Sequence, residues 1–235
     1  MHFWRIPPTS HNGLLARAAP GTHEAVGELI QKHSIQGEKA LDLAAGTGAL
    51  ISRLQSHGIK NFTAIEQDAE NFGLPNVRLL NLDLNTDFAA KIDARFDVIT
   101  AVEIIEHLDS PRHFLQQIHR LLEPKGVAVI TTPNVAHWLG RLQFLLTGVP
   151  KYFTLKDFQE QRHISPIFDH HMRIMIDETD FTLVDYLCTA SSWGLGIRML
   201  TFPVRFMFRI LCGPSVDGNV HVYLIRKNIT PRSDS

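Results

Sequence analysis

The sequence predicts an α/β protein, a doubly wound seven-stranded sheet, mostly parallel, with helices on both faces, and three observations predict it. Apolar runs of strand length alternate with amphipathic stretches of helix length from Thr22 to Thr132. The first run breaks into Ala45-Gly46-Thr47-Gly48, two glycines one residue apart, before helix-compatible sequence resumes at Ala49-Leu50-Ile51. The first three runs also deliver acids, Asp42, Glu66 and Asp83, to one edge of the sheet they would form.

In chain order, residues 1–21 hold Pro7-Pro8, Asn12-Gly13 and Pro20-Gly21 and predict an irregular arm. Thr22 is placed to cap a helix to about Ser34, with Glu24 in its first turn and Ala25, Leu29 and Ile30 on its apolar face. Lys39 to Leu43 is the first strand, and the helix after the glycine turn runs to about Gly58. Asn61 to Ile65 and Asn76 to Leu82 are the next strands, ending at Glu66 and Asp83. Phe96 to Ala101 is the fourth strand. Pro111 to Leu122 is a helix opened by Ser110, and Gly126 to Thr132 a near-continuously apolar fifth strand.

Beyond Thr132 the pattern changes. Residues 134–171 read as an insertion: helical from Asn134 to Thr147, then polar, aromatic and interrupted by Pro150 and Pro166. Met172 to Asp180 resumes a helix. Phe181 to Leu187 and Gly218 to Ile225 are the last two strands, with an apolar segment, residues 193–213, between them.

A chain of 235 residues with 44% hydrophobic residues can bury one sizeable core, and a single domain is the expectation. The net charge of -1 provides no general field to hold a phosphate backbone, which disfavours nucleic acid as a partner. Cys188 and Cys212 sit in apolar surroundings without metal-ligand spacing, as buried thiols do in a reducing compartment. Met1 to Pro8 has no basic and apolar leader pattern and no run is long enough to span a bilayer, so a cytoplasmic location is expected.

Glycines at 46 and 48 admit positive φ and close approach of a ligand to backbone, and the following helix offers unpaired N–H groups. An acid about 20 residues beyond such a turn is placed to accept ribose hydroxyls, so the expected ligand contains a nucleoside. At this point the chain resembles a family. Leu41-Asp42-Leu43-Ala44-Ala45-Gly46-Thr47-Gly48 is similar to motif I of class I S-adenosylmethionine-dependent methyltransferases. Ala64-Ile65-Glu66 resembles their ribose-binding acid, Leu82-Asp83-Leu84 their adenine-side acid, and Leu122 to Val127 their turn into the fifth strand. The resemblance implies a Rossmann-like sheet with an antiparallel last strand. It also implies S-adenosylmethionine at Asp42, Ala44, Gly46, Gly48, Glu66, Gln67, Asp83, Leu84 and Val102. Two departures stand out: Ala44 and Lys125 occupy positions where the family usually has glycine.

Val102-Glu103-Ile104-Ile105-Glu106-His107-Leu108 follows the fourth strand directly. In a helical turn, Glu103 would lie near both Glu106 and His107, presenting two carboxylates and an imidazole to one point. The Glu-x-x-Glu-His pattern resembles that of ubiquinone-biosynthesis O-methyltransferases and small-RNA 2′-O-methyltransferases, where it is linked to a divalent metal. The resemblance implies Glu103, Glu106 and His107 as catalytic residues. It also implies a metal set, with magnesium as the ion, completed by His163, with His170 and His171 behind it. The other reading keeps the pattern without metal, His107 serving as base or pocket wall. His113, His119, His137 and His221 are expected at the surface or in packing.

Arg205 and Arg209 share a face of an otherwise apolar helix, Pro203 to Cys212, which Arg198 would join if Pro203 did not interrupt. Three uses fit residues 198–212: a peripheral membrane contact, a lid over a lipid-like acceptor, or packing on the sheet or in a homodimer. The acceptor pocket is expected to be lined by this segment with Trp138, Tyr152 and Phe153. The function expected is methyl transfer to oxygen of a small-molecule, glycan or lipid-linked acceptor. The alternatives are a metal-dependent RNA 2′-O-methyltransferase, with Arg141, Lys151 and Arg162 as its basic patch, and a non-catalytic binder or scaffold suggested by Ala44.

Overall fold

The computed structural model describes residues 9–189 and 195–229. Seven strands form one sheet: β1 (Lys39–Leu43), β2 (Asn61–Ile65), β3 (Arg78–Leu80), β4 (Phe96–Ala101), β5 (Leu122–Pro133), β6 (Phe181–Cys188) and β7 (Val220–Lys227). Their order is β3-β2-β1-β4-β5-β7-β6. The first five are parallel, and β7 runs antiparallel between β5 and β6. The chain leaves β1 toward β2 and β3, then returns to lay β4 on the other side of β1. The connections therefore diverge above the carboxyl ends of β1 and β4 and open a crevice there.

The strands alternate across the sheet. Leu41, Leu43, Ile99, Ala101, Tyr223 and Ile225 enter one core with Phe114 and Ile118 of α3 (Pro111–Leu121) and Met172 and Ile176 of α6 (Asp169–Glu178). Ala40, Ala64, Val98, Val222 and Leu224 enter the other, against Leu29 and Ile30 of α1 (Thr22–Lys32) and Ile51 and Leu54 of α2 (Ala49–Ser56). Burial on both faces explains why the strands read as nearly continuous apolar runs. Ser110 caps α3 by accepting the His113 N–H at 3.3 Å, with Pro111 in the first turn.

Several boundaries move for local reasons. The residue before α1 is Gly21, at φ 87°, rather than Thr22, which is already helical. The edge strand β3 shrinks to three residues, since Val77 N bonds Leu74 O in a turn. The central β5 grows to twelve residues, its last seven each pairing with β7. The last strand shifts two residues along, and α6 begins at Asp169. The arm, expected to be irregular, carries a two-stranded ribbon, Ser10–His11 with Leu14–Leu15. It turns on Asn12 and Gly13 at φ 50° and 79°, the hand that twisted strands favour. Within residues 134–171, α4 (Trp138–Thr147) starts four residues later than its apolar pattern. Asn134 to His137 form a turn, and His137 Nδ1 accepts the Leu139 N–H at 3.2 Å. A short α5 (Leu155–Gln161) follows, opened by a capping box between Thr154 and Asp157. The apolar segment forms α7 (Leu195–Leu200) and α8 (Phe202–Cys212), with Pro203 in the first turn of α8. Its first residue, Trp193, and the side chain of Arg198 lie outside the description. Cys188 and Cys212 are unpaired and only half-buried.

Candidate active site

The glycine turn behaves as its sequence requires. Gly46 and Gly48 have φ 56° and 85°, and a Cβ on Gly48 would lie 2.7 Å from Leu74 Cδ1. Ala44 is also left-handed, at φ 60°, and so is Lys125, at φ 68°. Both positions keep the backbone of the glycine that the resemblance expects, at a cost of roughly 1–2 kcal/mol each for a residue with a Cβ. Ala44→Gly is accordingly expected to raise stability by about 0.5–1 kcal/mol, net of the freer unfolded chain, and the thermal midpoint by about 2 °C in scanning calorimetry.

Above this turn lies a cleft of about 1000 Å³. Its floor is Asp42 and Ala44 to Thr47, with Ala49 and Leu50 at the start of α2. Glu66, at the end of β2, accepts the Gly46 N–H on Oε2 at 2.7 Å and the Asp68 N–H on Oε1 at 2.9 Å. Both oxygens are fixed in place and keep lone pairs for hydroxyl donors. Asp42 is buried beneath, accepting the Thr100 hydroxyl at 2.6 Å. Burial pushes its pKa up to about 7, with the Thr100 hydrogen bond opposing and Glu66 adding. The arm forms one side. Thr47 Oγ1 donates to Leu15 O at 2.8 Å, Arg17 reaches Asp68 at 3.5 Å, and Leu15 with Arg17 to Pro20 lines the opening.

The wall is the turn after β4. It is not the helical turn its spacing suggests: Glu103 takes φ 48°, and a tighter 3₁₀ turn covers Ile105–His107. Glu103 N donates to Thr131 Oγ1 at 2.9 Å, and its carboxylate accepts the Ala19 N–H at 2.8 Å. The side chain is thus engaged with the arm. Burial lifts its pKa to about 7, the Ala19 hydrogen bond opposing. Glu106 has no solvent exposure. Its Oε2 accepts the Thr132 hydroxyl at 3.3 Å, and Oε1 has no hydrogen-bond partner. Burial, then repulsion from Glu103, holds its proton far above the ordinary carboxyl range.

His163 comes to this wall from the insertion because Ile164 N and Ser165 N both donate to Glu106 O, at 3.1 and 3.0 Å. Its Nδ1 faces Tyr152 O at 2.7 Å, and since a carbonyl only accepts, Nδ1 carries the proton and Nε2 a lone pair. The rings of His107 and His163 meet edge to face at 4.8 Å. Burial, then the neighbouring His163, lowers the His107 pKa, which favours the neutral imidazole, the form able to accept a proton. One ligand atom from each of Glu106, His107 and His163 lies within 4.8 Å of the others. Glu103 does not join that group.

Of the residues expected at a cofactor, Asp42, Ala44, Gly46, Glu66 and Val102 line the cleft. Gly48, Gln67, Asp83 and Leu84 do not line it. Asp83 Oδ1 accepts the Asn85 N–H within its own turn at 2.9 Å, and Leu84 is in the core. His170 and His171 are also away from it, on α6. The acceptor side differs from expectation. Tyr152 lines the cleft, Phe153 instead packs on the His163 ring at 5.4 Å, and Trp138 is buried outside it. Among the described residues of 198–212 none lines it; Arg205 and Arg209 of α8 pair with Asp217 instead. Lys151 was weighed only as part of a basic patch; it lines the cleft with its pKa lowered to about 8 by burial, and Nζ donates to Tyr152 Oη at 2.8 Å. Thr131 and Thr132 were missed altogether, though two hydroxyls at the end of an apolar strand were a signal. Arg17 and Ala19 carried none.

A family model described as "Methyltransferase domain" matches residues 15–186. The chain belongs to this methyltransferase family. It is an S-adenosylmethionine-dependent methyltransferase, and the cationic donor suits a cleft floored by Asp42 and Glu66. The methyltransferase is 25% identical over 230 residues to a ubiquinone biosynthesis O-methyltransferase of Rickettsia bellii (strain OSU 85-389), covering 92% of this chain and 88% of that one. Its fold is that of a SAM-dependent methyltransferase from Archaeoglobus fulgidus, with TM-score 0.59 and 14% identity over 88% of this chain and 95% of that one. It is likewise similar to magnesium protoporphyrin IX methyltransferase of Synechocystis PCC 6803, solved with S-adenosylhomocysteine bound. There the TM-score is 0.58 and the identity 11%, over 88% of this chain and 83% of that one.

Proposed function

We propose that this methyltransferase moves the S-adenosylmethionine methyl group to a hydroxyl oxygen of a small-molecule, glycan or lipid-linked acceptor. The observation that carries the reading is the placement of the His107 imidazole, its pKa lowered by burial, beside Glu106 and His163 on the cleft wall after β4. The name of the Rickettsia relative supports oxygen as the methylated atom. A hydroxyl is a poor nucleophile until its proton leaves, and His107 is the base within this wall. As the proton passes to His107, the acceptor oxygen bonds the methyl carbon, the carbon–sulfur bond breaks, and its electron pair stays on sulfur, leaving S-adenosylhomocysteine. The cleft supplies alignment and keeps out water.

The same three residues fit a divalent ion. The partnerless Glu106 Oε1, buried with a raised proton affinity, and the His163 Nε2 lone pair fixed through Tyr152 O are the donors of a metal site. Glu106, His107 and His163 would hold the ion. Two imidazoles and one carboxylate suit manganese, iron or zinc better than magnesium. When bound, the ion would acidify an acceptor hydroxyl. With the ion bound, the His107 lone pair would be occupied and activation of the hydroxyl would pass from His107 to the ion; on that reading dialysis against a chelator would lower activity at least about tenfold, with recovery on adding manganese. Unchanged activity after chelation would leave His107 as base without metal.

The experiment for the acceptor atom uses S-[methyl-¹⁴C]adenosylmethionine, the full chain and a cell extract. Label released as iodomethane by hydriodic acid supports the reading; label held on nitrogen or carbon overturns it. A second reading, the 2′-hydroxyl of RNA, is favoured by the exposed Arg162 next to His163. It predicts label in the ribonuclease-sensitive fraction.

A further inference from the structure

α8 is amphipathic in a way the cleft does not use. Its inner face is pinned by Arg205, whose Nε lies 2.9 Å from Asp217 Oδ1 and whose side chain is 13% exposed. Along its outer face Phe202, Phe206 and Ile210 follow each other at helical spacing, 59%, 52% and 68% exposed, the two rings stacked at 5.6 Å. Leu211 adds to this face at 72% exposed, and Leu200 of α7 stands at 83%. A second apolar edge, Phe144, Leu145 and Leu146, closes α4. Exposed apolar surface of this extent marks a binding face rather than ordinary surface.

The segment that leads into α4 is tied to the turn that follows α8. Asn134, at the end of β5 and before α4, donates from Nδ2 to Ser215 O and Gly218 O, both at 2.8 Å, in the turn that follows α8. Asn219 and Val220, next in sequence, line the cleft. The apolar helices therefore sit at the sheet edge where the cleft opens.

Charge selects the occupant. Residues 186–216 contain Arg198, Arg205 and Arg209 and no carboxylate, and residues 134–156 contain Arg141 and Lys156, besides Lys151 in the cleft, and no carboxylate. The Arg209 side chain, 3.7 Å from Asp217, remains 60% exposed beside the apolar stripe. A second copy docked on this face would set cation against cation with no acid in either helix. An anionic bilayer surface offers apolar depth and phosphate at once, the combination that a short helix with aromatic and aliphatic residues and arginine at its margin takes up. No helix among the described residues is long and apolar enough to cross a membrane, so such a contact lies in the interface plane.

We infer that the outer face of α7 and α8, with the end of α4, docks this methyltransferase on an anionic membrane surface. The inference stands on the exposed surface and is independent of the acceptor's chemistry. The full chain is expected to co-sediment with vesicles of phosphatidylcholine and phosphatidylglycerol, and much less with phosphatidylcholine alone. Phe206→Glu combined with Ile210→Glu should lower the bound fraction at least about tenfold, and Arg209→Gln should remove mainly the phosphatidylglycerol-dependent part. Unchanged S-adenosylmethionine binding by calorimetry reports that the variants fold. Absence of co-sedimentation, or co-sedimentation that the double glutamate variant leaves intact, overturns the inference. So does a wild-type dimer in light scattering that the same variant turns into a monomer, which would make the face a self-contact.

Discussion

His107→Ala is expected to lower kcat by roughly 10²- to 10⁴-fold, the usual worth of a positioned general base, while S-adenosylmethionine affinity stays within about twofold. The separation follows from placement. His107 stands on the wall after β4, whereas Glu66, which we propose as the donor's ribose partner, and the glycine turn form the floor. Desolvation, then His163, lowers its pKa, with backbone groups of Arg162, Gln161 and Glu103 partly offsetting. An imidazole with a lowered pKa is neutral at lower pH than an ordinary one. The acid limb of kcat against pH should therefore fall below the ordinary histidine value of about 6.5. The alanine variant should lose that limb, which a merely structural role would not produce. Steady-state rates across pH, with calorimetry of donor binding, make the measurement. Turnover at the original rate would remove His107 from the mechanism.

Donor affinity is expected to rise about tenfold between about pH 6 and pH 8, with roughly one proton released per donor bound on the acid side. The group responsible is Asp42, held at about 7 in the empty cleft chiefly by burial. The sign follows from its charge. Below pH 7 Asp42 is mostly neutral; a cationic donor favours the ionised form, so binding expels the proton and strengthens as pH rises through 7. Asp42→Asn keeps an acceptor for the Thr100 hydroxyl and should remove most of the dependence. What remains belongs to Glu103, which is raised to about 7 in the same cleft. Calorimetry in two buffers of different ionisation enthalpy counts the protons. S-adenosylhomocysteine, which lacks the sulfonium charge, should release fewer. A flat affinity for S-adenosylmethionine over this range would contradict the account.

These two groups also differ in how legible they were. Asp42 was readable because an acid inside an otherwise apolar strand, one turn before two glycines, has few structural reasons to exist. His107 was readable as a residue that would face a ligand, from its position just after β4. The geometry around it was not readable, since a helical spacing of Glu103, Glu106 and His107 leaves unseen that Glu103 takes a left-handed backbone and hands its carboxylate to Ala19. The glycine departures show the same division. Sequence alone revealed that Ala44 and Lys125 replace glycine, and only the backbone revealed that both still hold positive φ.

The sequence by itself determined the sheet, its helices and the glycine turn, because these depend on local period, caps and small residues that each carry their own signal. The tertiary structure decided what shares the cleft. Arg17 and Ala19 from the arm and Lys151, Tyr152 and His163 from the insertion line it with Glu103, Glu106 and His107, while Thr131 and Thr132 of β5 hold Glu103 and Glu106 from behind, all brought together from distant parts of the chain. It also decided that α8 turns Arg205 inward to Asp217 and Phe202 and Phe206 outward. Helical period gives a helix two faces; only the packing partner determines which one is buried.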